Sequence, residues 1–461
     1  MKGIEYKGLS RIEGPVVITS HCRNAGFNDV VAVYDRDKIK RLGRVIDLNE
    51  DWAAVQIFGS SSGLSAEESS VEFLDRPMEL RVGTSLLGRV FNGLGEPIDG
   101  FSDIFSSVTR GINGLPINPY ARTYPKDFIQ TGISSIDGMN TLIRGQKLPI
   151  FSGNVLPHHR LAAQIVRQAK ILNAKNNEQF VIVFCAMGVN NDDARFFLED
   201  FERSGVLANV TVFLSLADSP SLERLIAPRC ALTAAEYLAY EKNMHVLVIM
   251  TDMTNYCETL REVSSIRCEV PGRKGYPGYL YSDLSSLYER AGKIKESNGS
   301  ITQIPILSMP NDDISHPIAD LSGYITEGQI VLDRELFHKG IYPPAAVLPS
   351  LSRLMKDGIG ESMTREDHKD LSSQLLAAYA KVKQIRNLVS IIGEEELSLS
   401  DKQYLKFGNL FEQRFLAQGE FENRSIEQTL DIGWKILVEL PREDLLRVKE
   451  ELIVKYIEHF R

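Results

Sequence analysis

Cysteine is scarce in this chain, with five among 461 residues. Cys22, Cys185, Cys230, Cys257 and Cys268 are scattered without C-x-x-C spacing, which fits neither a disulfide framework nor a zinc site and leaves buried or incidental thiols. Long apolar runs are missing too, since no stretch approaches the ~18 uninterrupted apolar residues of a membrane span. The start, Met1-Lys2-Gly3-Ile4-Glu5-Tyr6, lacks the apolar core of a signal peptide, so the chain is expected to fold and stay in the cytosol. Positive charge is in deficit. A net charge of −9 argues against broad nucleic-acid binding, which is driven by Lys and Arg neutralising phosphates. Within residues 1–75, Arg11, Arg23, Arg36, Lys38, Lys40, Arg41 and Arg44 are offset by Glu50, Asp51, Glu67, Glu68 and Glu72.

The most informative absence is a lysine. A P-loop, Gly-x-x-x-x-Gly-Lys-[Ser/Thr], needs glycines so that backbone N–H groups can cradle phosphate, a lysine for the terminal phosphates and a hydroxyl for Mg²⁺. Laid on that template from Gly153, the segment Phe151-Ser152-Gly153-Asn154-Val155-Leu156-Pro157-His158-His159-Arg160 puts His158 at the second glycine, His159 at the lysine and Arg160 at the hydroxyl. Pro157 removes a further N–H. Tight phosphate binding at this degenerate loop is not expected. Adjacent histidines can hold a metal, but no Cys, His, Asp or Glu lies nearby at ligand spacing, so none is assigned.

Three regions follow one another. Residues 1–75 alternate short β-type runs with turn residues, as in Val30–Tyr34 and Ala53–Phe58, and suggest a small barrel. The turn-rich stretch Gly88–Gly100 reads as a boundary without regular structure. Within 76–350, apolar strands at Gln146–Phe151, Phe180–Phe184, Val210–Leu216, His245–Met250 and Ile301–Met309 are separated by helical stretches at Leu161–Leu172, Asp192–Gly205, Ser221–Lys242 and Thr254–Arg267. Apolar runs without alternation, joined by helices, describe a parallel sheet covered on both faces, so the expected core is α/β and P-loop-NTPase-like. Beyond Arg353 the β signal stops, and four segments at helical spacing predict a closing helical bundle over residues 351–461.

Two further positions bear on chemistry. Asp252 ends an apolar strand, where P-loop enzymes keep an Mg²⁺-holding aspartate; without the lysine it reads as a strand-end hydrogen-bond acceptor, with residual nucleotide contact as the alternative. The water-orienting carboxylate expected after the second core strand is missing. There the chain reads Cys185-Ala186-Met187-Gly188-Val189-Asn190, and Asp192 and Asp193 suit the first turn of a helix instead.

The segments Gln130–Asp137, Arg144–Gly153, Thr251–Tyr256, Pro271–Gly278 and Gly323–Gln329 resemble the B subunit of vacuolar/archaeal-type rotary ATPases, over nearly the whole chain and in order. That resemblance implies a non-catalytic, regulatory subunit alternating with catalytic A subunits in a hexameric ring, with ATP or ADP and Mg²⁺ at the shared interface. It implies central-stalk and peripheral-stalk partners, no nucleic acid, only indirect contact with the membrane rotor, and a cytoplasmic position peripheral to the membrane. The family places an arginine finger in the segment matched by Pro349-Ser350-Leu351-Ser352-Arg353-Leu354, which makes Arg353 the candidate, with Tyr324 and Ser352 lining the same boundary. Arg267 and Arg273 sit on or beside a Gly/Pro-rich loop suited to a ring interior. Gly153, His159 and Asp252 mark the vestigial site. This chain departs from its relatives at Asn154-Val155, at Arg160 and at Ala345-Ala346. A homo-oligomeric NTPase, a ring translocase and a purely structural scaffold are the rival readings.

Overall fold

A computed structural model describes residues 4–460 apart from 21, 23, 24, 28, 59, 60, 75, 115, 116, 173–177 and 268; Arg23 and Cys268 therefore lie outside the described residues. Near the N-terminus, seven antiparallel strands pair in the order Ile4–Lys7, Ser70–Phe73, Val30–Tyr34, Lys40–Leu48, Trp52–Ile57, Val16–Ser20 and Arg11–Glu13. The two outermost strands are consecutive in sequence and joined only by Gly8, Leu9 and Ser10. Four residue steps span at most about 14 Å, so the sheet must curl until its ends meet. Val17, Val31, Val33, Val45, Val55 and Val71 fill the interior with β-branched side chains that suit a pleated surface.

A mostly parallel sheet, with Ala345–Ser352 and Gly292–Lys293 antiparallel to their neighbours, forms the centre. Its order is Ala345–Ser352, Gly328–Leu332, Ile150–Gly153, Ser300–Met309, His245–Thr251, Phe180–Val189, Val210–Leu216 and Val90–Asn92, with Gly292–Lys293 attached to Ser300–Met309. Along Phe180–Val189, Val181, Val183, Cys185 and Met187 enter one apolar layer while Ile182, Phe184 and Ala186 enter the other. Burial on both faces is why these runs show no polar alternation. Helices His158–Gln168, Asn191–Arg203, Ser221–Glu236 and Met253–Ile266 cover the faces.

Several expectations need correction. The stretch Gly88–Gly100 contains a strand, since Val90–Asn92 pairs in parallel with Val212–Leu214. Three residues are too few to carry a period, and the pairing is set from more than a hundred positions away. The helix expected at Leu161–Leu172 spans His158–Gln168, and Lys170–Ile171 is a short strand. The helix expected to reach Lys242 changes to π-helical hydrogen bonding over Tyr237–Glu241. The last strand ends at Ser352, in keeping with a β signal that stops beyond Arg353, and the first helix after it is Met355–Gly358.

The helical segment packs around Tyr379, Phe407, Phe411, Phe415 and Trp434. It is tied to the sheet by Gln418, whose Nε2 donates to Gly132 O at 2.6 Å and whose Oε1 accepts from Ser134 N at 3.1 Å. Cys22, Cys185, Cys230 and Cys257 are buried free thiols.

Candidate functional site

The degenerate loop leaves the strand Ile150–Gly153 and enters the helix His158–Gln168 through Asn154, Val155, Leu156 and Pro157. Pro157 is the N-cap and gives the helix no side-chain cap. Val155 stands at φ 72°, a left-handed conformation that a β-branched residue adopts only under strain. The Gly153 position is crowded: a Cβ there would sit 2.0 Å from Asp312 Oδ1 and 2.9 Å from Arg334 Nη2. Arg334 donates to Asp312 through Nε at 2.7 Å and Nη2 at 2.9 Å, and Nη2 also donates to the Asn154 carbonyl at 3.0 Å. An ion pair thus stands against the start of the loop.

The two histidines have separate partners. Ser152 Oγ and His158 Nδ1 lie 3.1 Å apart, and burial, with His159 adding to it, pulls the His158 ring down to about 4, so it is neutral at pH 7. His159 Nδ1 lies 3.3 Å from Asp193 Oδ1, an acid the fold supplies from a different helix, and its ring packs 5.4 Å from Phe197. Among the described residues no three His, Cys, Asp or Glu side chains gather as a metal cluster. Arg160 points away, to Glu420 at 2.8 Å.

Asp252 caps the helix Met253–Ile266. Its Oδ1 accepts from Thr254 N at 2.8 Å and Ser308 N at 3.2 Å, and its Oδ2 accepts from Ser308 Oγ. Both oxygens are engaged within the chain. Asn190 caps the helix Asn191–Arg203, and Asp192 and Asp193 occupy its first turn, where negative charge meets the positive end of the dipole.

Arg353 follows the last sheet strand and is exposed. Its backbone N donates to Glu327 O at 2.9 Å, its Nη1 reaches Thr326 O at 3.5 Å, and among the described residues it forms no ion pair. Together with Tyr324, Asp320 and Gln329 it lines an open cavity of about 370 Å³. Tyr324, at the end of the helix Pro317–Ile325, is 79% exposed and so free to meet another surface. Ser352 is not part of this group. It turns inward, donating to Thr141 O at 2.8 Å and accepting from Gln146 Nε2 at 3.0 Å.

The strand registers separate the two clusters. Ile150 pairs with Ile330, which places Gly153 three residues beyond that level; Ser352 pairs with Gly328, two residues short of it, because its strand runs antiparallel. Five residues at about 3.3 Å each put roughly 16 Å between them along the strand direction. The loop and Arg353 occupy opposite rims of one sheet.

Comparison with known proteins agrees along the whole chain. Residues 9–75 match the ATP synthase alpha/beta family, beta-barrel domain; 132–352 its nucleotide-binding domain; and 357–457 the C-terminal domain of V and A type ATP synthase. The V-type ATP synthase beta chain 2 of Treponema pallidum (strain Nichols) is 65% identical over 99% of this chain and 95% of its own length. The chain belongs to the B-subunit (beta chain) family of V- and A-type ATP synthases. The B subunit of the A-type ATP synthase of Aeropyrum pernix is 58% identical over 99% of this chain and 98% of its own. Among solved structures, the ATP synthase subunit NeqB from Nanoarcheaum equitans superposes with a TM-score of 0.73 at 41% identity, covering 93% of this chain and 100% of that one. As a B chain of such a synthase the protein works within a multisubunit complex. No described helix is long and apolar enough to cross a membrane.

In this B chain, Arg273 of the Pro271–Gly278 loop is bound to Asp320 at 3.2 Å and donates to Ser315 O at 3.1 Å. The loop thereby touches the cavity that holds Arg353. Arg267 lies elsewhere, beside Glu269 at 3.6 Å, in a cavity between barrel and core. Asp312 and Arg334 carried no sequence signal, because each is an ordinary charged residue until the fold sets both against Gly153.

Proposed function

We propose that this B chain is non-catalytic by itself and serves a catalytic A subunit across a shared boundary in a hexameric ring, where Arg353 acts as the arginine finger. The observation that carries the reading is the disposition of cations: Arg353 is exposed and unpaired among the described residues, on the rim opposite the chain's own loop. An arginine side chain extends about half of that roughly 16 Å separation, so Arg353 does not reach the residues of its own loop. Its own loop is a poor fit for a triphosphate, since lysine is absent, Asp312 and Arg334 crowd Gly153, and both Asp252 oxygens are engaged.

At the boundary, ATP would carry the reacting phosphoryl group, with Mg²⁺ neutralising charge on its phosphates. Arg353 would set a guanidinium where negative charge spreads over the phosphoryl oxygens, and Tyr324 would give the interface a flat, exposed contact. The expected setting is cytoplasmic and peripheral to the membrane, with stalk subunits as further partners and ion transport coupled elsewhere in the complex.

Reconstitution with the A subunit tests this. Arg353→Ala should leave the ring assembled by sedimentation and lower ATP turnover by roughly 10³–10⁵, the worth of such a finger. Arg353→Lys should recover little, because a point charge does not replace a planar fork. Full turnover by the assembled Arg353→Ala ring, or brisk hydrolysis by the isolated B chain, would refute the proposal.

A further inference from the structure

A second cluster of cations lies away from both regions. Arg44, on the barrel strand Lys40–Leu48, meets Arg229 of the helix Ser221–Glu236 and Arg267, the C-cap of Met253–Ile266, around a cavity of about 480 Å³ between barrel and core. Among the described residues, two carboxylates line the same space. Asp283 holds Arg229 at 2.8 Å, and Glu269 stands 3.6 Å from Arg267, beyond hydrogen-bond reach. Arg44 has no ion pair among the described residues. Three guanidinium groups against two carboxylates leave one positive charge uncompensated.

Orphaned atoms define what is missing. Arg44 Nε and Arg267 Nε are shielded from solvent without an acceptor, and Glu269 Oε2 is shielded without a donor. Tyr279 is already hydrogen-bonded to the Glu269 carboxylate, but leaving shielded polar atoms unpaired is costly, so these three around one cavity describe contacts a ligand could complete. Burial, then the neighbouring Arg267 and Arg229, pull the Arg44 guanidinium down to about 10, which leaves it charged at neutral pH. Phe58 and Leu260 form apolar walls that strengthen any charge interaction within.

We propose that this cavity binds a hydrogen phosphate group, free or at the end of a small organic phosphate, with Arg44 and Arg267 donating to its oxygens and its own O–H donating to Glu269. Guanidinium forks match phosphate oxygens in shape and charge. The protonated oxygen distinguishes phosphate from sulfate, which has no hydrogen to offer Glu269 at neutral pH. Such a ligand would join the barrel, through Arg44, to the core, through Arg267.

Calorimetric titration of the full chain with inorganic phosphate at constant ionic strength tests the site. One saturable site of millimolar affinity or tighter is expected, weakened at least tenfold by Arg44→Gln and by Arg267→Gln, and unchanged by Arg353→Ala. Sulfate should bind at least tenfold more weakly. Glycerol phosphate binding as tightly as phosphate identifies an organic phosphate as the occupant, and its exclusion identifies free phosphate. No saturable heat with the wild-type chain, equal affinity in folded Arg44→Gln, loss in Arg353→Ala, or sulfate binding as well as phosphate would each overturn the proposal.

Discussion

Removing Arg273 should disable part of the Arg353 population without touching Arg353. Arg273 holds Asp320 at 3.2 Å, and Asp320 lines the same open cavity as the unpaired Arg353. The two side chains are 61% and 54% exposed, so their pair contributes at most about 1 kcal/mol. In Arg273→Ala the Asp320 carboxylate is released beside an uncompensated guanidinium, and an exposed Arg353–Asp320 pair of the same worth would form in its place. One kcal/mol is a factor of about five in population. ATP turnover of the reconstituted ring is therefore expected to fall roughly two- to fivefold, and adding Asp320→Asn should restore it by removing the competing charge. The loss should also shrink as salt rises, since exposed pairs are screened within about 8 Å at physiological ionic strength. Unchanged turnover in Arg273→Ala, or a loss that Asp320→Asn fails to reverse, would refute this reasoning and leave Arg273 acting only within its own loop.

Two stability predictions follow from the same geometry. His368 is fully buried, and burial lowers it from 6.5 to about 4 in the folded chain. Its contribution is fully present above pH 6.5 and lost as pH falls through about 4, a change of about 3 kcal/mol, so His368→Gln should flatten the acid limb of a melting-temperature profile; parallel profiles would exclude this ring as the source. Val155 is 82% exposed at φ 72°, so Val155→Gly relieves a left-handed strain at little cost in burial and should stabilise by about 1 kcal/mol in urea unfolding, where a loss would contradict the assignment.

The buried strands were legible because burial on both faces leaves an unmistakable mark: Val210–Leu216 appears with the bounds expected, and His245–Met250 gains only Thr251. Edge strands left no such mark. Ala345–Ser352 mixes exposed Leu348 and Leu351 with buried Ala345 and Val347, and its pairing depends on a neighbour rather than on its own pattern. Site residues divide in the same way. Missing lysine chemistry at Gly153–Arg160 can be read from identities alone, whereas the Asp312–Arg334 pair and the cavity around Arg44 arise from contacts over 22 and 185 positions, arithmetic differences of residue number that no local window covers. Ser352 shows the limit of adjacency: it is buried as the last residue of its strand, whereas Arg353, next to it in sequence, begins the exposed turn that follows.

One reversed strand has a consequence for design. Were Ala345–Ser352 aligned with its companions, whatever came after it would emerge beside Gly153, and donor and recipient of any charge would belong to a single polypeptide. Turning the final ribbon around exports that terminus to the far margin, and the proposed sharing of Arg353 between molecules rests on the direction of those eight residues.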